Sequence, residues 1–424
     1  MNPTSIQLIG AILFAVAILH TFSVGFITRL EEKFPSHAGL WKLFSEVEFV
    51  FGFWACVLLI FTAITAFGTE TGAIHAVTEY LNERKYTEPL FVLAIMIVAA
   101  SKPVLLFASA IVRIFSRILP APRPIAFYFT VLAIVPLLSS FITEPAAMSL
   151  AAMILKEAYY RKGMTTRLMY ATLGVLFVNV SIGGTLTNFA APPVLMVAGT
   201  WNWDNAFMMT HIGWRSALAV GVNALAVSLI FRKELAGYQI GKHDEHIDVP
   251  ILVTALHLLM LFLIVLFSHY AHVFLAVLLA FLAFAHAYPR FQDHLILRES
   301  LMVSCFLAGL VTLGGQQEWW LKPLLQSMST TAVYYGATAL TAVTDNAALT
   351  YLGSLVPDLS DDFKLSLVMG AVTGGGLTVI ANAPNPAGMA ILQGYFKGGK
   401  VSPLGLLAAA ALPTAMAIVA FRLF

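Results

Sequence analysis

The chain has 424 residues, of which 59% are hydrophobic and 11% are charged, and its formal net charge is +2. A soluble domain carries about 25% charged residues, so the composition is that of a membrane protein, and the small net charge excludes a nucleic-acid partner. Both cysteines, Cys56 and Cys305, lie in apolar stretches, which excludes a disulfide framework and a cysteine-rich metal site.

Long apolar stretches recur along the chain and predict membrane-spanning helices. A helix needs about 20 apolar residues to cross the hydrocarbon core of a bilayer. Stretches of this length are 4–27, 43–67, 206–231, 249–268 and 270–288. The first stretch lacks a basic leader and runs into further spans, so we predict a retained helix and not a signal peptide. The sequence therefore predicts an all-α polytopic membrane protein embedded in a lipid bilayer.

Lysine and arginine are concentrated in alternate loops, which predicts the orientation of the chain. Seventeen of the 24 basic residues lie in six clusters, at 29–42, 113–123, 156–167, 232–242, 290–298 and 397–400. The positive-inside rule places these clusters in the cytoplasm and the acid-rich loops outside. Segment 124–160 is basic at both ends, whereas segment 322–357 begins near Lys322 and ends at the acidic "PDLSDD". We predict that each segment is a re-entrant hairpin, and that the two enter the membrane from opposite faces.

Two sequence words occur twice in the same order. "TEPAAMSL" at 143–150 matches "TDNAALTY" at 344–351, and "GGTLTNFAAPP" at 183–193 matches "GGGLTVIANAPNP" at 374–386. We interpret residues 1–231 and 249–424 as two repeats. Each repeat has three spans, a hairpin, a broken helix (about 167–200 and 364–396) and a final span. Because five crossings is an odd number, the second repeat is predicted to be inverted, a plan typical of secondary transporters.

Residues 232–248 are predicted to be a cytoplasmic linker between the repeats. The linker contains "HDEH" at 243–246, a spacing that could suggest a metal site. We interpret it as a solvated loop, because the surrounding residues are polar and lack an apolar period.

The repeated words resemble motifs of the ion transporter superfamily, which includes arsenite permeases, D-type sodium/proton antiporters and dicarboxylate carriers. "GGTLTNFAAPP" is similar to the "GGTATLIGDPPN" type of helix break, and "AVTDNAALTYL" is similar to the Asp-Asn hairpin motif. The resemblance covers most of the chain and is closest to the Na⁺/H⁺ antiporter branch. It implies an ion transporter that forms a homodimer in the bacterial inner (cell) membrane.

The sequence also departs from that superfamily. Glu144-Pro145 stands where relatives usually have Asp-Asn in the first hairpin. The Ser-Asn-Thr pair by which dicarboxylate carriers hold carboxylates is missing. The identity of the transported ion therefore has to be argued from the residues themselves.

The two helix breaks and the hairpin turns supply the candidate site. Pro145 suits the first turn of a helix, which places Glu144 at a helix N-terminus, where the helix dipole favours the carboxylate and burial favours the neutral acid. Asp345 is its counterpart in the second repeat. We predict that these groups meet near the midplane and bind the ion and the proton: Glu144, Asp345, Asn346, Thr187, Asn188, Thr378 and Asn382.

Glycines in the breaks allow non-helical backbone, whose freed carbonyls are hard oxygen ligands suited to small cations. These glycines are Gly183, Gly184, Gly374, Gly375 and Gly376. Close helix packing is the alternative explanation for them.

Two carboxylates that face one pocket suit a monovalent cation in competition with protons. We therefore predict a secondary transporter that exchanges Na⁺ for protons, with Na⁺ at Glu144 and Asp345 and without a cofactor. The alternative on the same fold is a permease for a small oxyanion or dicarboxylate. A membrane enzyme would need a His/Asp metal pair or a Ser-Lys dyad on adjacent spans, and we find no convincing one.

Basic residues inside the apolar segments offer a simpler explanation for the two acids. Glu144 and Asp345 would then be ion-paired with a buried base such as Lys102 or Arg215. Lys102 itself precedes Pro103 and interrupts the third span. We interpret Lys102 as a counter-charge or a proton carrier.

Overall fold

The computed structural model describes residues 3–70, 72–240 and 249–423. Within these ranges the chain is helical and contains no β-strand, which confirms the predicted all-α class. Residues 241–248, which include the "HDEH" of the predicted linker, lie outside the described residues.

The helices of the first half, up to residue 240, begin with a long apolar helix. In chain order they are α1 (Ser5–Lys33), α2 (Ala38–Phe44), α3 (Val47–Thr65), α4 (Ala73–Asn82), α5 (Thr87–Ala99), α6 (Lys102–Ile118), α7 (Arg123–Ile142), α8 (Glu144–Ala158), α9 (Thr166–Gly183), α10 (Pro192–Trp201), α11 (Asn205–Met208), α12 (Trp214–Ile230) and α13 (Arg232–Leu235). A π-helical turn, Met209–Gly213, joins α11 to α12.

The second half, from residue 249, starts with a pair of shorter apolar helices. In chain order its helices are α14 (Ile251–Leu266), α15 (Ala271–Ala287), α16 (Leu297–Gly314), α17 (Glu318–Gln326), α18 (Thr330–Thr341), α19 (Asn346–Ser354), α20 (Asp361–Gly374), α21 (Asn385–Leu392) and α22 (Pro403–Leu423).

Many of these helices have the length and composition of membrane spans. Among the described residues, seven helical stretches are long and apolar enough to cross a bilayer, namely α1, α3, α7, α9, α11 with α12, α16 and α22. Helices α5 and α6 pass the same test together, but they are bent by 69° where they meet. The protein is therefore an integral membrane protein.

The first acidic motif lies at a sharp turn between two packed helices. Helix α7 ends at Ile142, α8 begins at Glu144, and the two helices pack against each other. Thr143 connects them with a φ of 70°, a left-handed conformation that is rare for a β-branched residue. Pro145 occupies the first turn of α8, where its missing N–H removes no helical hydrogen bond. The chain therefore reverses abruptly and presents Glu144 at the start of α8.

The second acidic motif lies at a longer turn. Helix α18 ends at Thr341 and α19 begins at Asn346. The Asp345 side chain accepts hydrogen bonds from the backbone N–H groups of Ala347 and Ala348, so it caps the N-terminus of α19. Both predicted hairpin segments thus have an acid at the start of their last helix.

The helix that follows each break packs against a helix of the other half of the chain. A non-helical stretch separates α9 from α10, and another separates α20 from α21. Helix α10 packs against α19, which follows Asp345, whereas α21 packs against α8, which begins with Glu144. Each half therefore completes the surroundings of the acid in the other half.

Candidate functional site

Glu144 lies in the interior of the molecule and has one side-chain partner. Its exposed fraction is 0%. Oε2 accepts a hydrogen bond of 2.7 Å from Nδ2 of Asn382, which lies in the non-helical stretch of the second half. Oε1 has no hydrogen-bond partner among the described residues. An ionised carboxylate is very unfavourable in such a place, so Glu144 needs either a proton or a bound cation.

The position of the Glu144 carboxyl depends on a glycine in the break of its own half. A Cβ atom at Gly184 would lie 2.7 Å from Glu144 Oε1 and 2.9 Å from its Cγ. Only glycine therefore leaves room for the carboxyl at this point. The unpartnered Oε1 thus faces the break between α9 and α10, while Oε2 faces the break between α20 and α21.

Asn382 brings a second unpartnered oxygen to the same place. Its Nδ2 donates to Glu144, and its Oδ1 has no partner among the described residues. Carboxylate and amide oxygens are hard ligands, which suit small hard cations. Glu144 and Asn382, one from each half of the chain, are therefore candidate ligands for a small cation.

Asp345 and Asn346 lie beside the second break, where the Asn346 N–H donates to the carbonyl of Ala381 at 3.2 Å. No hydrogen bond joins Asp345 to Glu144 among the described residues, and its negative charge acts on Glu144 only from a longer distance. Asn346 is fully buried, and both polar atoms of its side chain lack a partner among the described residues. A Cβ at Gly375 would lie 2.9 Å from Asn346 Nδ2, so this glycine too leaves room for a polar side chain of a hairpin.

The two predicted threonines hold the breaks against the hairpins. Thr187 Oγ1 donates to the carbonyl of Ser140 at 2.7 Å, and Thr378 Oγ1 donates to the carbonyl of Ala342 at 2.8 Å. Ser140 lies near the end of α7, and Ala342 directly follows α18. Each threonine is therefore bound to the hairpin of its own half. Both threonines position the breaks in this structure.

The glycine that ends the helix before each break allows an equally close approach. A Cβ at Gly183 would lie 2.4 Å from the carbonyl oxygen of Pro136, and a Cβ at Gly374 would lie 2.3 Å from that of Thr338. A Cβ at Gly376 would instead lie 2.4 Å from backbone atoms of Val178. Close packing against backbone therefore explains these three glycines.

Asn188 and Lys102 contact other partners than the two acids. Asn188 Nδ2 donates to the carbonyl of Trp203 at 2.9 Å, which ties it to the loop after α10. Lys102 Nζ forms an ion pair with Asp293 Oδ1 at 3.1 Å. Arg215 Nη1 contacts Met369 Sδ at 3.8 Å. Among the described residues, neither Glu144 nor Asp345 has a basic nitrogen within 4 Å, so the two acids are not ion-paired with these bases.

Three further polar residues shape the site and were not predicted from the sequence. Asn385 Nδ2 donates to the carbonyls of Gly375 and Thr378, at 2.8 Å each. Ser140 Oγ donates to the carbonyl of Gly183 at 2.8 Å, and Ser181 Oγ donates to that of Val372 at 2.7 Å. Asn385 and Ser140 stand inside or beside the repeated words, a signal that could have identified them.

Comparison with known proteins identifies the family of the chain. Residues 5–424 match the model of a protein family described as "Putative Na+/H+ antiporter". A comparison with curated proteins finds no match. The family match covers both halves of the chain, the two breaks and the two acids. It confirms the resemblance noted in the sequence motifs, and the chain belongs to this family.

Proposed function

We propose that the protein exchanges Na⁺ for protons across the bacterial inner membrane through one shared site. The observation that carries the proposal is the buried carboxyl of Glu144, which has one amide partner and no ion pair among the described residues. Its family is one of transporters, which is not an enzyme class. The cation and the proton are the substrates, and no further cofactor is needed.

Exchange follows from the chemistry of this carboxyl. A proton on Glu144 Oε1 neutralises the group, and so does a Na⁺ held between Oε1 and the Oδ1 atom of Asn382. The two ligands therefore exclude each other at this position. Asp345 lies near enough to interact with Glu144, so a charge on one acid affects the occupancy of the other.

We also propose that the halves 1–231 and 249–424 are inverted repeats with re-entrant hairpins at about 124–160 and 322–357. Three pairs of equivalent contacts support the proposal. Helix α10 packs on α19 as α21 packs on α8. Thr187 and Thr378 bind the hairpins of their own halves, and Gly183 and Gly374 approach the first hairpin helices in the same way. Residues 232–248 would then be a cytoplasmic linker.

The length of α7 affects this topology. With 20 residues, α7 is about 30 Å long, enough to reach across the hydrocarbon core. Helices α18 and α19 have 12 and 9 residues, which is too short for a full crossing. We infer that the first hairpin enters more deeply than the second.

An anion permease is the less favoured alternative. A helix N-terminus attracts anions through its free N–H groups and its dipole. In this protein, Asp345 already occupies the free N–H groups of α19, and Glu144 stands at the start of α8. Both positions that would receive an oxyanion or a dicarboxylate therefore carry a carboxyl group. The homodimer remains a prediction of the family resemblance.

The function is tested by ion-dependent proton flux in everted membrane vesicles. We expect Na⁺ to release protons from the acidified interior, and we compare Na⁺ with Li⁺, K⁺ and dicarboxylates, using a pH-sensitive dye. Protons compete with the cation for the same carboxyls, so the half-saturating Na⁺ concentration should rise as the pH falls. Dicarboxylate uptake without cation-dependent proton flux would overturn the proposal in favour of the anion permease.

Replacing Asn382 by alanine should weaken cation binding. The change removes the donor to Glu144 Oε2 and the free Oδ1 oxygen together. A hydrogen bond to a charged group is worth about 1.5–3 kcal/mol, so the half-saturating Na⁺ concentration should rise by roughly tenfold or more. The measurement is the Na⁺ dependence of proton flux in everted vesicles.

Asn82→Ala is the matched control, because Asn82 is exposed at the end of α4. This variant should keep the Na⁺ dependence of the parent protein. An unchanged Na⁺ dependence in Asn382→Ala would remove Asn382 from the proposed site.

A further inference from the structure

A small cleft lies elsewhere in the molecule, and neither Glu144 nor Asp345 lines it. It is formed where the start of α5, the end of the first break, α10 and the loop between α14 and α15 meet. Its polar lining consists of Thr87, Glu88, Asn188, Ser268 and His269. These loops face outward in the predicted orientation, and the loop before α5 contains Glu83, Arg84 and Lys85.

Glu88 is the one carboxyl group that lines this cleft, and its charge is not neutralised by a contact. Among the described residues, no side chain donates a hydrogen bond to it and no basic nitrogen lies within 4 Å. Lys85 and His269 act on its charge only from a longer distance. A Cβ at Gly199 would lie 3.4 Å from Glu88 Oε1, so the glycine in α10 lets the carboxyl lie against that helix.

Asn188 adds a neutral oxygen to the same cleft. Its backbone N–H donates to Asn205 Oδ1 at 3.0 Å, and its Nδ2 donates to the Trp203 carbonyl. These two bonds fix the amide, and Oδ1 accepts no hydrogen bond from any described residue. A carboxylate and a fixed amide oxygen therefore line the same small cleft, and such hard oxygen ligands suit a small monovalent cation that has shed most of its water.

The cleft is connected to Glu144 by a short piece of chain. Asn188 is the last polar residue of the break that begins at Gly184, and Gly184 lies against the free Oε1 of Glu144. Thr187 ties the piece between them to Ser140. The first break therefore contributes residues both to the cleft and to the surroundings of the buried carboxyl.

We propose that this cleft is an outer vestibule where Glu88 and Asn188 bind a Na⁺ ion before it reaches Glu144. The proposal rests on the antiport function proposed above. In this proposal Asn188 is a Na⁺ ligand in the cleft, whereas Asn382 is a ligand at Glu144. The negative charge of Glu88 raises the local concentration of cations on one side of the membrane only.

The first test is the Na⁺ dependence of flux measured from each side. We expect Glu88→Gln to raise the half-saturating Na⁺ concentration at the outer face by roughly fivefold, the effect of a partly screened charge. The maximal rate and the Na⁺ dependence at the inner face should stay unchanged. Right-side-out and everted vesicles measure the two faces. Glu70→Gln, which removes an exposed acid from another outer loop, is the control and should change neither.

A second test does not depend on transport. Cys56 and Cys305 are the only cysteines of the chain, so both are replaced by alanine and Ser268→Cys places one thiol in the cleft. A cationic methanethiosulfonate should label it several times faster than an anionic one, and adding Glu88→Gln should bring the ratio close to one.

The two tests separate the two proposals. Equal labelling rates in the parent, or an equal change of Na⁺ dependence at both faces in Glu88→Gln, would overturn the vestibule even if the protein exchanges Na⁺ for protons. Charge-selective labelling that depends on Glu88, in a protein without Na⁺-driven proton flux, would support a cation vestibule and reject the antiport proposal.

Discussion

Asp345→Asn and Glu144→Gln are each expected to reduce Na⁺-driven proton flux to the level of vesicles without the protein. Each amide is nearly isosteric with its acid, but it can neither carry the proton nor neutralise the cation. An amide is also less unfavourable to bury than a carboxylate, so both variants should remain folded. Flux is measured with a pH-sensitive dye in everted vesicles, and folding by size-exclusion chromatography in detergent.

The two variants test each acid separately, and a control variant tests whether the loss of any carboxyl group lowers the flux. Glu299→Gln, at the exposed start of α16, should leave the flux unchanged. Flux that persists in both site variants would contradict the antiport role of these residues. Flux that persists in Glu144→Gln alone would leave Asp345 as the exchanging group and give the first hairpin a structural role.

Gly183→Ala should lower the thermal stability of the protein and its flux together. The new Cβ would lie 2.4 Å from the Pro136 carbonyl oxygen and 2.7 Å from its carbon, and these backbone atoms cannot rotate away. Overpacking of this kind costs about 1–3 kcal/mol. The helix must shift to relieve it, which also moves Gly184 away from Glu144 Oε1. The measurements are the unfolding midpoint in detergent and the proton flux.

Gly221→Ala is the matched control for that change. Gly221 lies within α12, and a Cβ there would meet no atom within 4 Å. Alanine is favoured over glycine inside a helix by about 0.5–1 kcal/mol, so this variant should be as stable as the parent or slightly more stable. Equal unfolding midpoints for Gly183→Ala and Gly221→Ala would show that Gly183 is not needed for the close packing of α9 against α7.

Local signals in the sequence were enough to locate the two acidic turns. Pro145 marks the first turn of α8, and Asp345 has the side chain of a helix cap, so both helix starts could be predicted from neighbouring residues. The apolar composition likewise predicted an all-α membrane protein. These features depend on the local chain and on the solvent, which is why they are visible without a structure.

The partners of the polar side chains could not be predicted in the same way. Glu144 binds Asn382, Lys102 pairs with Asp293, and Asn188 binds the Trp203 carbonyl. Each pairing depends on how helices distant in sequence pack. Helices that are apolar on all sides give little periodic signal about which face meets which neighbour. Lys102 also stands at a bend of 69° between α5 and α6, which the sequence marked only as an interruption of a span.

The packing of each half against the acid of the other half has a consequence for biosynthesis. Glu144 and Asn382 are 238 positions apart in the chain. At a synthesis rate of about 5–20 residues per second, Glu144 leaves the ribosome roughly 10 to 50 seconds before the amide that binds it. Helix α21, which covers α8, emerges later still. During this interval the start of α8 is in the nascent chain without its final neighbours, so the first half requires protection by lipid, water or the insertion machinery until the second half arrives.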